Sequence, residues 1–502
     1  MNRLEQLQPS SCWPVYQRAN VRVLEQALQQ RSAAPLMQRA GSVAAQLALA
    51  IAPHARHIWI AAGPGNNGGD GLETALNLHQ WGKNVLVSLL AEPEQLPADA
   101  RRAWQRAIHA GVKIQRDLPH ELLTTLNSAD LCIDALLGLG ASRPLSPTMS
   151  AWIEALNQTP AKCLALDLPS GLHPDSGQLL NPPETAQQVV RADHTLTFIV
   201  TKPGLHMGHG RDASGQLWLA DLNAQDDNAA VATPPNPQPD AWLNPPLASR
   251  LKTHASHKGT HGDVAVVGGE ALQHRGMGMT GAALLAAQAA LHAGAGRVML
   301  TLLGESACNP APPDLMVRHW AQLELENLHV VAGCGGGHAI EPYMPELLLR
   351  SAHLVLDADG LNAVAANPTL KQQLQQRATR GQNTVITPHP LEAARLLQST
   401  TLKVQANRLE AAATLAELYQ CTVVLKGSGT VITAPKHTAR INTSGNGKLA
   451  IGGTGDVLAG LIGALMANGR IAFEAACHGV QRHGQVADEW PENLTLTASR
   501  LA

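Results

Sequence analysis

The chain has 502 residues, which is too long for one ordinary hydrophobic core, so we expect two or three domains. Lys and Arg number 37 and Asp and Glu 39, and this near balance argues against general binding to nucleic acid or to an anionic membrane. The seven cysteines form no CxxC pair, the polar N-terminus lacks a secretory signal, and no apolar run is long enough for a transmembrane helix. We therefore expect a cytoplasmic protein with reduced thiols.

The N-terminal part alternates apolar strands with amphipathic helices. Apolar runs predict strands at 57–62, 85–90, 131–134, 163–167 and 194–200, and a helix at 72–81. Aromatic residues make up only 3% of the chain, so the core must be built from Ala, Leu, Val and Ile, which suits helices packed on parallel strands. The pattern predicts an α/β domain with a doubly wound, mostly parallel sheet.

A glycine-rich segment follows the first of these strands and leads into the helix. It reads Gly-Pro-Gly-Asn-Asn-Gly-Gly-Asp-Gly over residues 63–71. Glycine permits close approach of the backbone to a phosphate, and a helix N-terminus attracts anions. The two Asn side chains add oxygen ligands that suit a metal ion beside the phosphate. The alternative is a plain strand-to-helix turn, since Asn and Gly favour turns.

Carboxylates close two further strands of the same part. Asp134 ends the strand 131–134, and Asp167 ends the strand 163–167 and is followed by Ser170. A buried carboxylate at a strand end is costly without a partner, and a cation or a proton-transfer role would supply one. Each Asp alone could be a helix N-cap, but together with the Asn pair they favour one shared site.

A proline-rich stretch at 226–246 predicts an interdomain linker, because repeated Pro suits neither a helix nor a central strand. The C-terminal part resumes the alternation, with strands predicted at 263–267, 298–303, 329–332, 353–356, 385–387 and 422–425. Several of these strands run directly into Gly, Asp or His. Because ligands bind at the carboxyl ends of such strands, the residues that follow them are site candidates.

A second glycine-rich segment, Gly-Gly-Thr-Gly-Asp at 452–456, precedes an apolar helix. Backbone N–H groups at this helix start would form an anion hole for a transferring phosphoryl group, and Asp456 would accept the proton of an attacking hydroxyl. The alternative is a purely structural role, in which the glycines allow close helix packing and Asp456 interacts only with the helix dipole. Three neighbouring motifs favour the chemical role: Asp-Ala-Asp at 357–359, Thr-Pro-His-Pro at 387–390 and Lys-Gly-Ser-Gly-Thr at 426–430.

The N-terminal motifs together resemble the NAD(P)H-hydrate epimerase family over roughly residues 10–220. The likeness rests on the glycine-rich segment, Asp-Ala-Leu-Leu-Gly at 134–138, Asp-Leu-Pro-Ser-Gly at 167–171, Lys-Pro-Gly at 202–204 and the helix segment 36–41. The resemblance implies a Rossmann-like domain over 1–225 that interconverts the R and S hydrates of NADH and NADPH. It implies that Asp167 is the acid/base residue, and that potassium is held by Asn67, Asp134 and Ser170. The implied ligand-binding residues are Asn66, Asn67, Gly68, Gly69, Asp70, Gly138, Leu139, Gly140, Ala141, Ser142, Arg143, Pro144 and Asp167.

The C-terminal motifs resemble the ribokinase-like fold and, within it, the ADP/ATP-dependent NAD(P)H-hydrate dehydratase family, from about residue 247 onward. The implied domain, 247–502, transfers a phosphoryl group from a nucleotide to the hydrate hydroxyl, after which phosphate leaves and NAD(P)H is restored. Asp456 is the implied catalytic residue. The implied nucleotide contacts are Lys426, Gly427, Ser428, Gly429, Thr430 and Gly455. The implied contacts with the hydrated cofactor are Ala282, Gly335, His389 and Asp456.

The two resemblances together imply a bifunctional enzyme of nicotinamide-hydrate repair. Its expected small-molecule substrates are NADHX, NADPHX and ADP; magnesium is expected at the dehydratase site, and a homo-oligomer is expected. One departure concerns the segment Gly-Cys-Gly-Gly-Gly at 333–337, where the family usually has Gly-Pro-Gly-Leu-Gly. Because Pro restricts the backbone, its replacement by Cys334 predicts a more flexible loop around Gly335.

Two rival functions stay open at this point. The C-terminal part could be an ordinary small-molecule kinase for a vitamin or sugar, since the fold and the Gly-Thr-Gly-Asp loop would be the same. The N-terminal part could be a non-catalytic scaffold of the kind found in RNA-processing proteins. The retained carboxylates and the scarcity of aromatic residues argue against the scaffold.

Overall fold

The structure is a computed structural model that describes residues 4–8, 11–31, 34–181, 188–222, 237–246, 253–304 and 311–502. The chain forms two compact units, one of Met1–Gln8 with Trp13–Ala241 and one of Pro9–Cys12 with Trp242–Ala502. Most of the predicted linker lies outside the described residues. Its described end contains a short strand, Ala241–Asn244, which the proline content did not predict.

The first unit alternates strands with helices as the sequence predicted. Its strands are β1 (Leu4–Gln6), β2 (Pro14–Val15), β3 (Ile58–Ala62), β4 (Val85–Leu89), β5 (Lys113–Gln115), β6 (Leu131–Ala135), β7 (Lys162–Leu166), β8 (His194–Phe198) and β9 (Gln216–Ala220). Its helices are α1 (Arg18–Arg31), α2 (Leu36–Ile51), α3 (Asn66–Gln80), α4 (Ala98–His109), α5 (His120–Leu123), α6 (Pro147–Gln158) and α7 (Gly210–Ala213).

The sheet of the first unit has the order β1-β9-β8-β7-β6-β3-β4-β5. Its pairs are parallel except β1 with β9. The chain runs from β3 outward through β4 and β5, then returns to place β6 on the other side of β3. This reversal is a topological switch point, where open α/β sheets bind their ligands. The α3 start follows β3 and Asp134 lies in β6, so both predicted motifs flank the switch point.

Two hydrophobic clusters cover the two faces of this sheet. Along β3, Ile58 and Ile60 belong to the cluster that contains residues of α2, α3 and α4, while Trp59 belongs to the cluster with Trp152 of α6. The strand residues on both faces are buried, so β3 reads as a continuous apolar run rather than an alternating one. This two-sided burial fixes the strand ends that carry the site residues.

The second unit is also an α/β layer structure. Its strands are β10 (Ala241–Asn244), β11 (Asp263–Glu270), β12 (Arg297–Leu303), β13 (Met316–Val317), β14 (His329–Ala332), β15 (His353–Leu356), β16 (Asn383–Ile386), β17 (Thr422–Leu425), β18 (Val431–Ala434) and β19 (His437–Asn442). Its helices are α8 (Leu272–Arg275), α9 (Thr280–His292), α10 (Met344–Arg350), α11 (Ala358–Ala366), α12 (Pro368–Gln376), α13 (Pro390–Leu396), α14 (Thr401–Ala406), α15 (Arg408–Tyr419), α16 (Thr454–Ala467), α17 (Ala472–Asp488) and α18 (Ala498–Leu501).

The strands of the second unit run in the order β13-β12-β11-β14-β15-β16-β17-β18-β19-β10. Pairs from β13 to β17 are parallel, and β18 and β19 add antiparallel hairpins that the sequence analysis did not predict. The chain leaves β11 for β12 and then returns to place β14 on the other side of β11. The switch point of this sheet therefore lies between β11 and β14. Helices α9, α16 and α17 pack on one face over Val264, Val331 and Val424.

The predicted α/β class is confirmed in both units, and each strand predicted in the two parts is present within a few residues of its expected bounds. Two expected helix boundaries were wrong. Asn66–Gly71 is the first turns of α3 rather than a loop before residue 72, and Thr454–Asp456 is the first turn of α16. Among the described residues, no helix combines the length and hydrophobicity needed to cross a bilayer. The six cysteines in the described ranges are free thiols.

Candidate active sites

In the first unit, Asp134 and Ser170 form a buried pair at the ends of neighbouring strands. The Ser170 hydroxyl donates to Asp134 Oδ1 at 2.7 Å, and the Ser170 backbone N–H donates to Oδ2 at 2.8 Å. The Leu136 N–H donates to Oδ1 at 3.1 Å. Burial raises the pKa of Asp134 to about 6, and the bonds from Ser170 partly offset this rise. The structure thus brings these two predicted site residues into direct contact.

Asp167 lies beside this pair and is held at both carboxylate oxygens. Its Oδ1 accepts a 2.6 Å hydrogen bond from Lys202 Nζ, and its Oδ2 accepts a 2.7 Å bond from the Leu139 N–H. Lys202 Nζ also donates to Thr197 Oγ1 at 2.8 Å and to the Phe198 carbonyl at 2.9 Å, so all three ammonium donors have partners. The backbone φ of Asp167 is 65°, a left-handed value that is uncommon outside glycine and indicates local strain.

Asn67, in the first turn of α3, points into the same cluster. A Cβ placed on Gly138 would lie 2.8 Å from Asp167 Oδ2 and 3.2 Å from Asn67 Oδ1, so these two side chains face each other across Gly138. Among the described residues, neither Oδ1 nor Nδ2 of the buried Asn67 side chain has a hydrogen-bond partner. Buried amides are rarely left without partners, so this side chain is expected to meet a ligand or ion.

Two further carboxylates face Asp167 and Lys202. Asp70 lies one helical turn after Asn67 on α3, and Glu25 lies on α1. Burial, with the charges of Asp167 and Glu25, raises the pKa of Asp70 well above its usual range. Burial and Asp167 likewise raise the pKa of Glu25. Asp134, Asp70 and Glu25 therefore all have raised pKa values, and perturbed pKa values are common at functional sites.

The segment 138–144, predicted to contact the ligand, is divided by the structure. Gly138 and Leu139 lie against Asp167, and Ala141 is buried with its N–H on the Gly138 carbonyl at 2.9 Å. The remaining members of the set are exposed: Gly140, Ser142, Arg143 and Pro144. Within the described part of the chain these four make no hydrogen bond to the Asp167 cluster. Asn66, Gly68 and Gly69 complete the first turns of α3, where they line the same end of the helix.

In the second unit, three of the predicted motifs meet at Asp357, directly after β15. Asp357 Oδ1 accepts hydrogen bonds of 2.7 Å from both Lys426 Nζ and Thr387 Oγ1. A Cβ on Gly455 would lie 3.2 Å from Lys426 Nζ and 3.7 Å from Asp357 Oδ2, so the α16 start covers this pair. Burial alone would lower the pKa of Lys426. The negative charges of Asp357 and Glu392 outweigh this effect, so the pKa is raised overall. A cation and a helix N-terminus thus converge, as required for binding phosphate.

Asp456, in the first turn of α16, lies next to Cys334. One side-chain atom from each of Cys334, Asp357 and Asp456 lies within 4.8 Å of the other two. Burial and the charge of Asp357 raise the pKa of Asp456 to about 6, while a hydrogen bond with Cys334 opposes this rise. Cys334 is fully buried, and its pKa is raised well above the usual range by burial and by Asp456. The residue that replaces the usual Pro is therefore a thiol partner of the predicted catalytic carboxylate.

Gly335 and Ala282, both predicted to contact the hydrated cofactor, are neighbours. A Cβ on Gly335 would lie 2.8 Å from the Ala282 Cβ and 2.6 Å from the Met279 carbonyl oxygen. Gly335 also has a φ of 58°, so only glycine fits there without strain. The two residues lie beside the β11/β14 switch point, which supports their grouping in one ligand pocket.

His389, predicted to contact the hydrated cofactor, also has a structural role. Its Nδ1 accepts from the backbone N–H groups of Leu391 at 3.1 Å and Glu392 at 3.3 Å, which caps α13. Burial and the charge of Lys426 lower the pKa of His389, which favours the neutral form that this cap requires. Burial raises the pKa of the neighbouring Glu392 to about 7, opposed by Lys426.

The predicted nucleotide loop 426–430 rests on a buried arginine. Arg408 of α15 donates from Nη2 to the carbonyls of Leu425 at 3.0 Å and Lys426 at 3.2 Å. Gly427 and Gly429 both have positive φ, at 138° and 69°, and the Thr430 hydroxyl donates to the Gly427 carbonyl at 3.0 Å. Arg408 therefore sets the shape of the loop that contains Gly427, Ser428 and Gly429.

The sequence analysis did not single out several residues that the structure places in these sites. Lys202 was quoted only as part of a motif, although a Lys shortly after the buried strand β8 could have marked it. Thr387 was likewise only a motif member. Glu25 and Arg408 had no signal in the sequence, because their positions depend on how α1 and α15 pack.

Comparison with known proteins gives a family match for each of the two parts and relatives that match nearly the whole chain. The family model described as "YjeF-related protein N-terminus" matches residues 33–204, and the model "NAD(P)H-hydrate dehydratase" matches residues 265–502. The Bifunctional NAD(P)H-hydrate repair enzyme Nnr of Escherichia coli K12 is 36% identical over 473 residues, covering 90% of this chain and 84% of the relative. The chain belongs to the family of bifunctional NAD(P)H-hydrate repair enzymes.

One further relative and one solved structure give the extent of the similarity. The protein of the same name from Coxiella burnetii is 33% identical and covers 95% of each chain. An ADP/ATP-dependent NAD(P)H-hydrate dehydratase of Bacillus subtilis, co-crystallised with ATP and Mg2+, is 28% identical over 50% of this chain and 90% of that one, with a TM-score of 0.41. As a member of this repair family, the chain is a bifunctional enzyme with an epimerase part and a dehydratase part, as the sequence predicted.

Proposed function

We propose that the two clusters are the two active sites of this repair enzyme, with the Asp167 cluster epimerising NAD(P)HX and the Asp456 cluster dehydrating the S epimer. We assign the first activity to 1–225 and the second to 247–502, joined by the linker 226–246. One observation carries the proposal: each predicted catalytic Asp is next to a lysine–carboxylate ion pair at the ligand-binding edge of its sheet. Asp167 itself pairs with Lys202, and Asp456 lies beside the pair formed by Asp357 and Lys426.

At the first site, Asp167 moves a proton as the hydroxyl at the hydrated nicotinamide carbon leaves and as water adds to the other face. Lys202 and the Leu139 N–H fix both carboxylate oxygens, so the group meets the ligand in one orientation. Burial and the charge of Asp167 raise the pKa of Asp70, which is a second carboxyl group close to Asp167. The reaction has no net change in composition, because one water molecule is lost and one is added.

Asn67, Asp134 and Ser170 offer the amide, carboxylate and hydroxyl oxygens that a potassium ion would need. Asn67 Oδ1 is buried without a partner among the described residues, while the buried Asp134 carboxylate supplies negative charge. Hard cations prefer such carboxylate, amide and hydroxyl oxygens. When bound, potassium would supply positive charge to orient the phosphates of the ligand beside the α3 start.

At the second site, Asp456 accepts the proton of the hydrate hydroxyl while that oxygen attacks the β-phosphoryl group of ADP. The α16 N–H groups and Lys426 stabilise the charge that develops, and AMP leaves. The C–O bond of the phosphorylated hydrate then breaks, phosphate departs, and a ring proton is lost to restore the double bond. The sum is NAD(P)HX plus ADP giving NAD(P)H, AMP and phosphate. Magnesium would neutralise the nucleotide phosphates, and Asp357 would supply an oxygen ligand of the kind that it prefers.

The preference for ADP over ATP, the cytoplasmic location and the homo-oligomer stay predictions. Reduced thiols support the location, because the six described cysteines are free.

The proposal is tested by silencing each site alone in the full-length chain. Asp167→Ala should stop epimerisation and leave ADP-driven dehydration of S-NADHX intact, and Asp456→Ala should do the reverse. If both variants keep both activities, the two sites are wrongly assigned. Accumulation of a stable phosphorylated product, instead of AMP and NADH, would show that the second site is that of a small-molecule kinase.

A further inference from the structure

Strand β11 ends at the switch point in an ion pair that the proposed mechanism does not use. Glu270 is fully buried, and its Oε2 lies 2.8 Å from Arg275 Nε and 2.6 Å from Arg275 Nη2. Its Oε1 accepts from the backbone N–H groups of His338 and Ala339 at 3.1 Å each. The carboxylate thus ties the short α8 helix to the loop that follows β14.

The same residue ties this loop to the start of α9. The Glu270 N–H donates to the Gly335 carbonyl at 2.7 Å, and the Glu270 carbonyl accepts from the Met279 N–H at 2.9 Å. Gly335 and the α9 residue Ala282 are the predicted contacts of the hydrated cofactor. Glu270 is therefore the common anchor of that pocket.

Arg275 differs from its partner in being accessible. Its side chain is 34% exposed, whereas that of Glu270 is 0% exposed. A guanidinium has five N–H donors, and Glu270 needs only two of them. Arg275 Nη2 would lie 2.5 Å from a Cβ on Gly337, so the cation lies against the loop of the predicted pocket. Among the described residues its other donors have no partner, and a fixed guanidinium with such donors is suited to a phosphate group.

The sheet order separates Arg275 from the predicted nucleotide loop. Strands β14, β15 and β16 lie between β11 and β17, which precedes Lys426. Four steps of about 4.8 Å put the two strand ends about 19 Å apart. We therefore expect an anion that binds Arg275 to be carried by the hydrated cofactor and not by ADP.

We propose that Arg275 is a binding residue for a phosphate group of the hydrated dinucleotide, and that Glu270 is the positioning residue that holds Arg275 and the Gly335 loop. This inference rests on the proposed dehydratase function. The phosphate is either the pyrophosphate, present in NADHX and NADPHX, or the 2′-phosphate, present only in NADPHX.

The test uses the full chain with Arg275→Ala and a matched control, Arg297→Ala. Arg297 forms the equivalent ion pair with Asp263 at the opposite end of the same strand, with Nε 2.7 Å from Oδ1. KM and kcat are measured for S-NADHX, S-NADPHX and ADP. Arg275→Ala should raise the hydrate KM about tenfold or more and leave the KM for ADP and, within about twofold, kcat unchanged. Arg297→Ala should change none of them.

The two hydrates distinguish the phosphates. A rise in KM for both indicates the pyrophosphate, and a rise for NADPHX alone indicates the 2′-phosphate. An active Arg275→Ala enzyme with unchanged KM for both hydrates, or with an equal rise in the KM for ADP, overturns this assignment alone. Absence of nucleotide-driven dehydration by the wild-type chain overturns the proposed function, and this assignment with it.

Glu270→Gln tests the positioning role, because Gln keeps an acceptor for the loop N–H groups but loses the charge that holds Arg275. It should raise the hydrate KM as Arg275→Ala does, and the double variant should be no worse than either single one. Additive losses, or a rise in the KM for ADP, would show that Glu270 acts through general stability instead.

Discussion

The ammonium of Lys202 lies 2.6 Å from Oδ1 of Asp167, and only 1% of the lysine side chain is exposed. Because Thr197 and the Phe198 carbonyl take its other two N–H groups, the lysine cannot turn away from the carboxylate. The ion pair fixes the orientation of the Asp167 side chain through Oδ1, while Oδ2 faces Asn67 across Gly138. The first site therefore depends on a buried cation that no ligand needs to touch.

Lys202→Met should abolish this support. Epimerisation should fall by roughly 10²- to 10⁴-fold, the range typical of a lost acid/base group. Because the change leaves a buried carboxylate unpaired, the free energy of unfolding should fall by about 3–5 kcal/mol. Epimer interconversion and denaturant unfolding are measured beside Lys162→Met, which removes an exposed lysine from the same unit. Unimpaired epimerisation by a folded Lys202→Met enzyme would contradict the role given to Asp167.

Gly138→Ala should damage the first site by crowding alone. The new methyl group would lie 2.8 Å from Asp167 Oδ2 and 3.2 Å from Asn67, so one of the two side chains must move. Epimerisation should fall by about tenfold or more, because small displacements of a catalytic group are costly. Gly447→Ala in the second unit is the control, since its methyl group would meet no atom within 4 Å and it lies outside the predicted sites. Equal rates for the two variants would count against the predicted cluster.

Potassium should stabilise the first site. Binding to the folded chain alone raises the melting temperature, by roughly 2–4 °C for each kcal/mol in domains of this size. Thermal melts in potassium chloride are compared with melts in choline chloride of equal ionic strength. Asn67→Ala, which deletes the oxygen left without a partner among the described residues, should remove the difference between the salts. A difference that survives in Asn67→Ala would place the ion elsewhere.

The dehydratase should lose activity in acid because Asp456 must be ionised to accept a proton. Since burial raises the pKa of Asp456 to about 6, kcat/KM should fall as the pH drops through about 6. The hydrogen bond with Cys334 lowers that pKa, so Cys334→Ala should move the acid limb to higher pH. Cys421→Ala, at another buried thiol of the same unit, serves as the control. An acid limb that stays in place or moves down in Cys334→Ala would show that the thiol does not bond the working carboxylate.

The sequence predicted the parts of both sites that lie at strand ends. Asp134, Asp167, Asp357 and Lys426 directly follow or close apolar runs, and parallel strands bring such residues to one edge of the sheet. The helix starts at Asn66 and Thr454 were missed because Gly and Asn have low helix propensity, which tertiary packing overrode.

The partners of those residues could not be predicted, because they depend on side-chain direction rather than on chain order. Lys202 bonds Asp167, which follows a different strand, and Arg275 bonds Glu270, which ends β11 five residues earlier in the chain. Cys334 was expected only to loosen a loop; its contact with Asp456 requires the α16 start to pack over β14, which no local pattern indicates. Whether the loop is also more flexible stays a prediction.

The most direct test of the two-site account mixes R- and S-NADHX with the purified chain, ADP, magnesium and potassium and follows the absorbance of reduced nicotinamide. The account predicts recovery of the whole mixture as NADH, with AMP and phosphate formed in equal amounts. Recovery of only the S fraction, beyond slow spontaneous epimerisation, would show that the Asp167 cluster is not an epimerase site. No recovery with either ADP or ATP would contradict the account of the Asp456 cluster.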